Sequence, residues 1–529
     1  MKPRNDPRAM AHDSESDDES PLARQQSMLA INKCRYNVPV QSSIFSDRQQ
    51  VTYSFNPNTY ANVSPSTVAQ IIFNSGSAFL NGPGCSIVFG INISNNGMSA
   101  NQYNSLTYQF GSNATIKSGG SATNVFSEVS ITARAGDQLE RIEKANSFWS
   151  SVKPFRKGDG ATYMDSAQGG AALSTAGTSG APTYQYPRYW ASNTNYFEVP
   201  LASLFNFFGQ AAPIPGVLAS GLRMNLIFEN FLNALFFQYT MVAPNGSKVN
   251  PLDGSPPPAA YTYSAVTDPL TVNMNVAGMQ LVLDQYTAYD SANSVILGQA
   301  QSLSSSGLQY SYLFNYHNRV TLSSTSETLQ VNVSAAKLKT IILRFRKPEA
   351  NSGLVDSLAS LPLVNYGGAQ GAGTSIFFNG AADGANVGNL GTNGSIRVRV
   401  GSSLLELLPV RSASQLYRFT VGALCNIKSG LSDDLNVLGD SNRVMDINAS
   451  YTDWALGTGL SAGCTTIALD FERNALLGIS GASSNNSRSI SVDLFGLNAG
   501  ASAANIILDI WVQHLVVANT TTENVVLDK

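Results

Sequence analysis

Residues Ser395 to Thr420, SIRVRVGSSLLELLPVRSASQLYRFT, set the pattern for the chain. Ile396, Val398 and Val400 alternate with Arg397 and Arg399, the period of a strand with one face buried and the other wet. Gly401-Ser402-Ser403 predicts a turn. The apolar run Leu404 to Leu408 then stops at Pro409, and Gln415 to Thr420 predicts a return to extended structure.

The same period recurs along most of the chain. Ser86 to Ile93 follows the turn Asn81-Gly82-Pro83-Gly84, and Val125, Val129 and Ile131 alternate with Glu128, Ser130 and Thr132. Ala135-Gly136-Asp137 breaks that strand, and the spacing of Leu139, Ile142 and Ala145 predicts a helix over Leu139 to Trp149. Tyr196 to Leu201 precedes an apolar stretch through Phe205, Phe207 and Phe208, and Leu222, Met224, Leu226 and Phe228 form a clear strand. The pattern returns at Val272, Met274 and Val276, and again at Met279, Leu281 and Leu283. Beyond it, strands are predicted at Leu329–Val333, Thr340–Phe345, Cys464–Phe471, Ile490–Leu494 and Ile506–Val512.

Three long loops rich in Gly, Pro and small residues interrupt the strands: Gly158–Pro187, Pro244–Pro258 and Gly367–Gly394. Ser291 to Ser306 loosens into a short helix-like piece and a serine cluster, which places a boundary there. Many short strands with Gly/Pro turns, twice over, predict an all-β chain of two consecutive sandwiches with short helices. No 20–50-residue repeat indicates a solenoid or propeller. The expected division is a disordered acidic arm over 1–40, a first sandwich over 41–290, a linker over 291–305 and a second sandwich over 306–529. The arm packs Asp13, Glu15, Asp17, Asp18 and Glu19 among serines and buries too little to offset its ordering entropy. It reads equally as a solubilising tail or as a segment that orders on a neighbour.

Composition adds a clue about surroundings. At 529 residues the chain exceeds the size at which one core keeps growing, about 250–300 residues. Charged residues make up only 13%, against roughly 25% in an average soluble protein, so much of the surface is expected to be covered by neighbours in an assembly. The rival reading is a secreted β-protein with a neutral polar surface. The formal charge of −3 carries no basic signature for nucleic acid. Cys34, Cys85, Cys425 and Cys464 lie far apart without CxxC spacing, so they are expected as free thiols. No apolar run reaches bilayer length, and the first residues lack the apolar core of a signal peptide.

Candidate chemistry is sparse. His12, His317 and His514 are the three histidines. A nucleophilic triad would have to use His317 or His514, and both are expected as hydrogen-bonded sandwich residues instead. Glu140 with Glu143, and Asp470 with Glu472, are carboxylate pairs of the sort any chain of this length supplies. Arg134, Arg141 and Lys144 beside Phe148 and Trp149 suggest base stacking, but the interleaved Glu140 and Glu143 favour a solvated helix face. Asn-x-Ser/Thr sequons such as Asn62, Asn92 and Asn519 are what chance provides in a chain rich in Asn, Ser and Thr. No catalytic, cofactor-binding or metal-binding residue is assigned.

The order of these blocks resembles a known family. SATNVFSEVSITARAGDQLERIEKANSF, FEVPLASL with IPGVLASGLRMNLIFEN, and MNVAGMQLVLDQY in the first half are similar to segments of the double jelly-roll major capsid proteins. That lineage contains adenovirus hexon, virophages, Polinton-like viruses and the large icosahedral DNA viruses of eukaryotes. In the second half SIRVRVGSSLLELLPVRSASQLYRF, DFERNALLGISG and ILDIWVQHLVV carry the likeness, which covers about 45 to 520. Leu404-Leu405 departs from the aromatic-Pro pair of many relatives. The resemblance implies two eight-stranded jelly rolls and a non-enzymatic major capsid protein of the virion, assembled inside the host cell. It further implies a homotrimeric, pseudo-hexameric capsomer in an icosahedral capsid, with neighbouring capsomers, penton and minor capsid proteins as partners. No cofactor and no sequence-specific nucleic-acid contact follow from it, and the long loops become tower or inter-subunit elements. The alternatives are an RNA-virus capsid protein with one shell and one protruding sandwich, and a carbohydrate-binding or carbohydrate-cleaving two-sandwich protein.

Overall fold

The computed structural model describes residues 45–97, 100–110, 121–152, 172–174, 183–185, 189–210, 212–239, 272–289, 308–346, 394–401, 403–404, 409–410, 419–420, 422–424, 464–471, 483–484, 489–497, 506–520 and 525–528. The arm over 1–40, the linker over 291–305, the Pro244–Pro258 loop and nearly all of Gly367–Gly394 lie outside the described residues.

Eight strands of the first half build two facing sheets. They are β1 (Phe45–Ser54), β2 (Val68–Asn74), β3 (Ser86–Asn95), β4 (Phe126–Thr132), β5 (Gln138–Glu143), β6 (Asn195–Pro200), β7 (Ser220–Phe228) and β8 (Val272–Ala288). One sheet runs β1-β8-β3-β6 and the other β2-β7-β4-β5, with neighbours antiparallel. Eight strands of the second half follow: β9 (Leu308–Leu322), β10 (Ser326–Val331), β11 (Leu338–Arg346), β12 (Ser395–Val400), β13 (Ser403–Leu404), β14 (Cys464–Asp470), β15 (Ile490–Phe495) and β16 (Ile506–Thr520). Their sheets run β9-β16-β11-β14 and β10-β15-β12-β13. Adding eight to every number in the first pair of sheets reproduces the second pair, apart from one short extra strand in each, Phe79–Leu80 on β8 and Val525–Asp528 on β16. This strand order is that of the jelly roll, so the chain carries two consecutive eight-stranded jelly rolls.

Alternation builds each core. In β7 Leu222, Met224, Leu226 and Phe228 are buried while Arg223 is exposed, and in β12 Ile396, Val398 and Val400 are buried while Arg397 and Arg399 are partly exposed. Phe126 bridges the sandwich, edge-on to Phe89 at 5.6 Å and tilted against Phe228 at 5.4 Å. At the open end of β1, Arg48 grips Asp284 of β8 through two hydrogen bonds of 2.8 Å, and Asn81 adds a third of 2.7 Å. Burial pushes the Asp284 carboxyl up, but the bonds from Arg48 and Asn81 outweigh it and hold the group below the usual carboxylate range.

The two apolar patterns around Val276 and Met279 belong to one strand. β8 bulges between Ala277 and Gln280, and Gly278 at φ +62° takes the turn of backbone that the slip needs. Three loops, joining β3 to β4, β5 to β6 and β7 to β8, contribute Leu106–Phe110, Tyr189–Trp190 and Leu235–Tyr239 to a separate three-stranded sheet. The Gly158–Pro187 stretch, expected as a plain loop, contains a two-stranded ladder of Ala172–Ser174 with Thr183–Gln185.

Two expectations are corrected. Leu139 to Trp149 is not one helix: Gln138–Glu143 is strand β5, and helix α1 spans Ala145–Val152, with Lys144 turning the corner at φ +53°. The register slip between β4 and β5 leaves Leu139 as an extra residue, so Leu139 and Ile142 sit three apart within a strand. Extended structure was also expected for Gln415 to Thr420, but residues 419–420 are helical, as are residues 422–424.

Candidate functional site at the junction of the two rolls

Strands β11 and β16 lack the clean alternation of β7 and β12. Ile341 through Phe345 and Leu508 through His514 are buried without a break, because one face packs inside the second roll and the other packs on the first. Register assembles that second face. Asp509 of β16 stands opposite Arg319 of β9 on one side and Arg344 of β11 on the other, and Trp511 stands opposite His317 and Ile342. Residues two apart share a face, so His317, Arg319, Arg344, Asp509 and Trp511 form one polar and aromatic plate.

The first roll meets this plate with β5, α1 and the turn Phe207–Gly209. Arg319 donates to both oxygens of Asp509, at 2.6 and 3.2 Å, and Ser147 of α1 donates to the same carboxylate at 3.4 Å. Arg344 donates to the carbonyl oxygen and hydroxyl of Ser147. The indole of Trp511 donates to the Glu143 carbonyl at 3.3 Å and stands edge-on to Phe148 at 5.5 Å. Farther along, the Tyr310 hydroxyl donates to the Phe207 carbonyl at 2.7 Å, and the rings of Tyr310 and Tyr312 each lie 5.2 Å from that of Phe207.

Glu140 is the unusual member. The bulge at Leu139 sets Glu140 opposite Ile131, on the inner side of β5, where it is fully buried. Its carboxylate accepts from the backbone and side-chain nitrogens of Asn206, both at 3.0 Å, and from the Phe207 nitrogen at 2.8 Å. Burial nonetheless pushes the carboxyl up to about 8, against the three bonds that favour its charge.

The residues singled out in the sequence fall as follows. Glu140 and Glu143 lie three apart on a strand, hence on opposite faces, and do not converge on a substrate position. Asp470 is exposed at the end of β14, and Glu472 lies outside the described residues. The solvated helix face drawn through Arg141 and Lys144 is corrected to a strand, where Arg141 pairs with Glu128 at 2.8 Å and Glu143 at 3.1 Å. Phe148 and Trp149 are buried and offer no stacking platform. His514 is a buried sandwich residue against Phe314, whereas His317 stands between the rolls. Cys85 is buried and free, and burial pushes its thiol up to about 12; Cys34 and Cys425 lie outside the described residues. Among the described residues no group of His, Cys, Asp and Glu is arranged to hold a metal ion, and no helix is long and apolar enough to cross a membrane. Sequence reasoning missed Tyr310, Tyr312, Arg344, Asp509 and Trp511; the unbroken apolar runs around Ile342 and Ile510 were the available signal.

Comparison with known proteins gives a fold and no closer relative. No family model and no curated protein matches the sequence. The Faustovirus major capsid protein superposes with a TM-score of 0.52 at 9% identity, over 94% of this chain and 96% of that one. The PBCV-1 VP54 structure fitted into a reconstruction of the virophage Sputnik gives 0.49 at 10% identity, over 93% and 99%. The mavirus major capsid protein gives 0.40 at 9% identity, over 93% of each chain. The Faustovirus likeness and the strand order agree on a double jelly roll.

Proposed function

We propose that this chain is the major capsid protein of a virion, working as a structural element and not as an enzyme. Three copies associate into a pseudo-hexameric capsomer, and capsomers tile an icosahedral shell. The observation that carries this reading is the identity of strand order in the two halves. A trimer of such chains presents six like sandwiches around one axis, so a three-fold object can occupy a site with six neighbours. A shell domain joined to a protruding domain would instead pair unlike sandwiches.

Low charge supports the same reading, since the flanks of each chain would be covered by neighbours. The edge strand β2 also shows Val68 and Ile72 to solvent, at 47% and 58% exposure. The chain divides in this reading at the linker 291–305, with rolls over 41–290 and 306–529 behind the arm 1–40. The three-stranded sheet and the long loops form the outer tower. Neighbouring capsomers, penton and minor capsid proteins are the partners, in a DNA-containing particle assembled inside the host cell. Multi-angle light scattering of the purified chain is expected to return three times its 56.2 kDa mass, with six-lobed particles in negative stain. A monodisperse monomer at micromolar concentration would sink the proposal.

A further inference from the structure

His317 belongs to the second roll and reaches Glu143 of the first. Its side chain is 6% exposed, and its two ring nitrogens face two carboxylates: Nδ1 lies 3.4 Å from Glu143 Oε2, and Nε2 lies 3.0 Å from Asp509 Oδ1. Ionised carboxylates only accept hydrogen bonds. A neutral imidazole carries one N–H, so it can serve one carboxylate while turning a lone pair toward the other. The ring also lies 5.2 Å from the Trp511 ring, which is itself fastened to the Glu143 carbonyl.

Cationic side chains flank both carboxylates. Arg319, on the same strand as His317, makes two bonds to Asp509, and Arg344 of β11 stands opposite Asp509 in register. From the first roll, Arg141 of β5 pairs with Glu143 and with Glu128 of β4, and Lys144 follows Glu143 in the chain. Helix α1 contributes the neutral Ser147.

We propose that His317 is a proton-operated latch between the two jelly rolls. As the imidazolium it donates from Nε2 to Asp509 and from Nδ1 to Glu143, tying the plate of the second roll to strand β5 of the first. On losing a proton it keeps the shorter bond to Asp509 and faces Glu143 with a lone pair, so the tie opens on the first-roll side. Acid therefore closes the junction and alkali loosens it. The latch acts within one chain and stands whether or not the chain builds a shell.

Hydrogen–deuterium exchange of the full chain tests this, reading peptides over 138–152 between pH 5 and pH 8 and correcting for intrinsic exchange. In the wild type, protection there is expected to fall with rising pH by about tenfold more than in His317→Gln or Glu143→Gln, one charge-assisted bond being worth roughly that factor. Peptides over 222–228 serve as the internal control. Glu143 is 41% exposed, so Glu143→Gln is expected to fold and decides the matter alone if His317→Gln does not. One pH profile shared by all three chains, or Glu143→Gln tracking the wild type, overturns the latch.

Discussion

The hydroxyl of Tyr312 in the second roll donates to the carbonyl oxygen of Leu139 in the first, across 2.5 Å and out of reach of solvent. Leu139 is the extra residue of the β5 bulge, and the bulge leaves this carbonyl free to point away from the ladder.

Tyr312→Phe removes the donor and strands a buried carbonyl, which costs about 1–3 kcal/mol. Tyr310→Phe does the same to the Phe207 carbonyl. The two rings lie 6.1 Å apart and share Phe207, so the double variant is expected to depart from additivity. Urea unfolding of the single and double variants measures both effects.

Glu140 gives stability a pH dependence of known sign. Its folded carboxyl holds a proton up to about pH 8, while the unfolded chain releases it near the ordinary value of 4.5. Between those limits the folded state binds more protons, so stability is full below about 4.5, falls as pH rises, and levels off above about 8, a span of a few kcal/mol. Glu140→Gln is expected to remove this slope. It starts less stable than the wild type in acid, because its amide replaces one acceptor, and the gap narrows toward pH 8. Unfolding curves at a series of pH values check whether the two converge.

Gly82 has no room for a side chain. A Cβ there would stand 2.3 Å from the Phe208 carbonyl oxygen, a backbone atom that cannot swing aside. Gly82→Ala is expected to destabilise by about 1–3 kcal/mol. Gly209, in the facing turn, has nothing within 4 Å of the same added atom, so Gly209→Ala is expected to be neutral or slightly stabilising. Thermal unfolding of the pair separates crowding from a general intolerance of the turn.

Strands with clean alternation, such as Leu222 to Phe228 and Ile396 to Val400, were legible because each has one dry and one wet face. Legibility failed where a bulge changed the phase. Val276 to Met279 and Leu139 to Ile142 both show a spacing of three inside a strand, which imitates helical periodicity. Gly278 marks the first slip in the sequence; no glycine marks the second, and there the spacing reads as a helix. The junction was harder still. His317 finds Glu143 174 residues away and Asp509 192 residues away, separations over which local pattern carries no information. What the chain did display was Ile341 to Phe345 and Leu508 to Val512 without polar relief on either side, apart from Arg344 and Asp509, and those two mark the junction face.

The both-sided burial of β11 and β16 makes the two jelly rolls unequal tenants of one topology. A second roll cut free would bare the apolar surface of Trp511 and Ile342, and is expected to self-associate through it. The later half is therefore expected to need the first, fused to it or supplied separately, to stay dispersed in water.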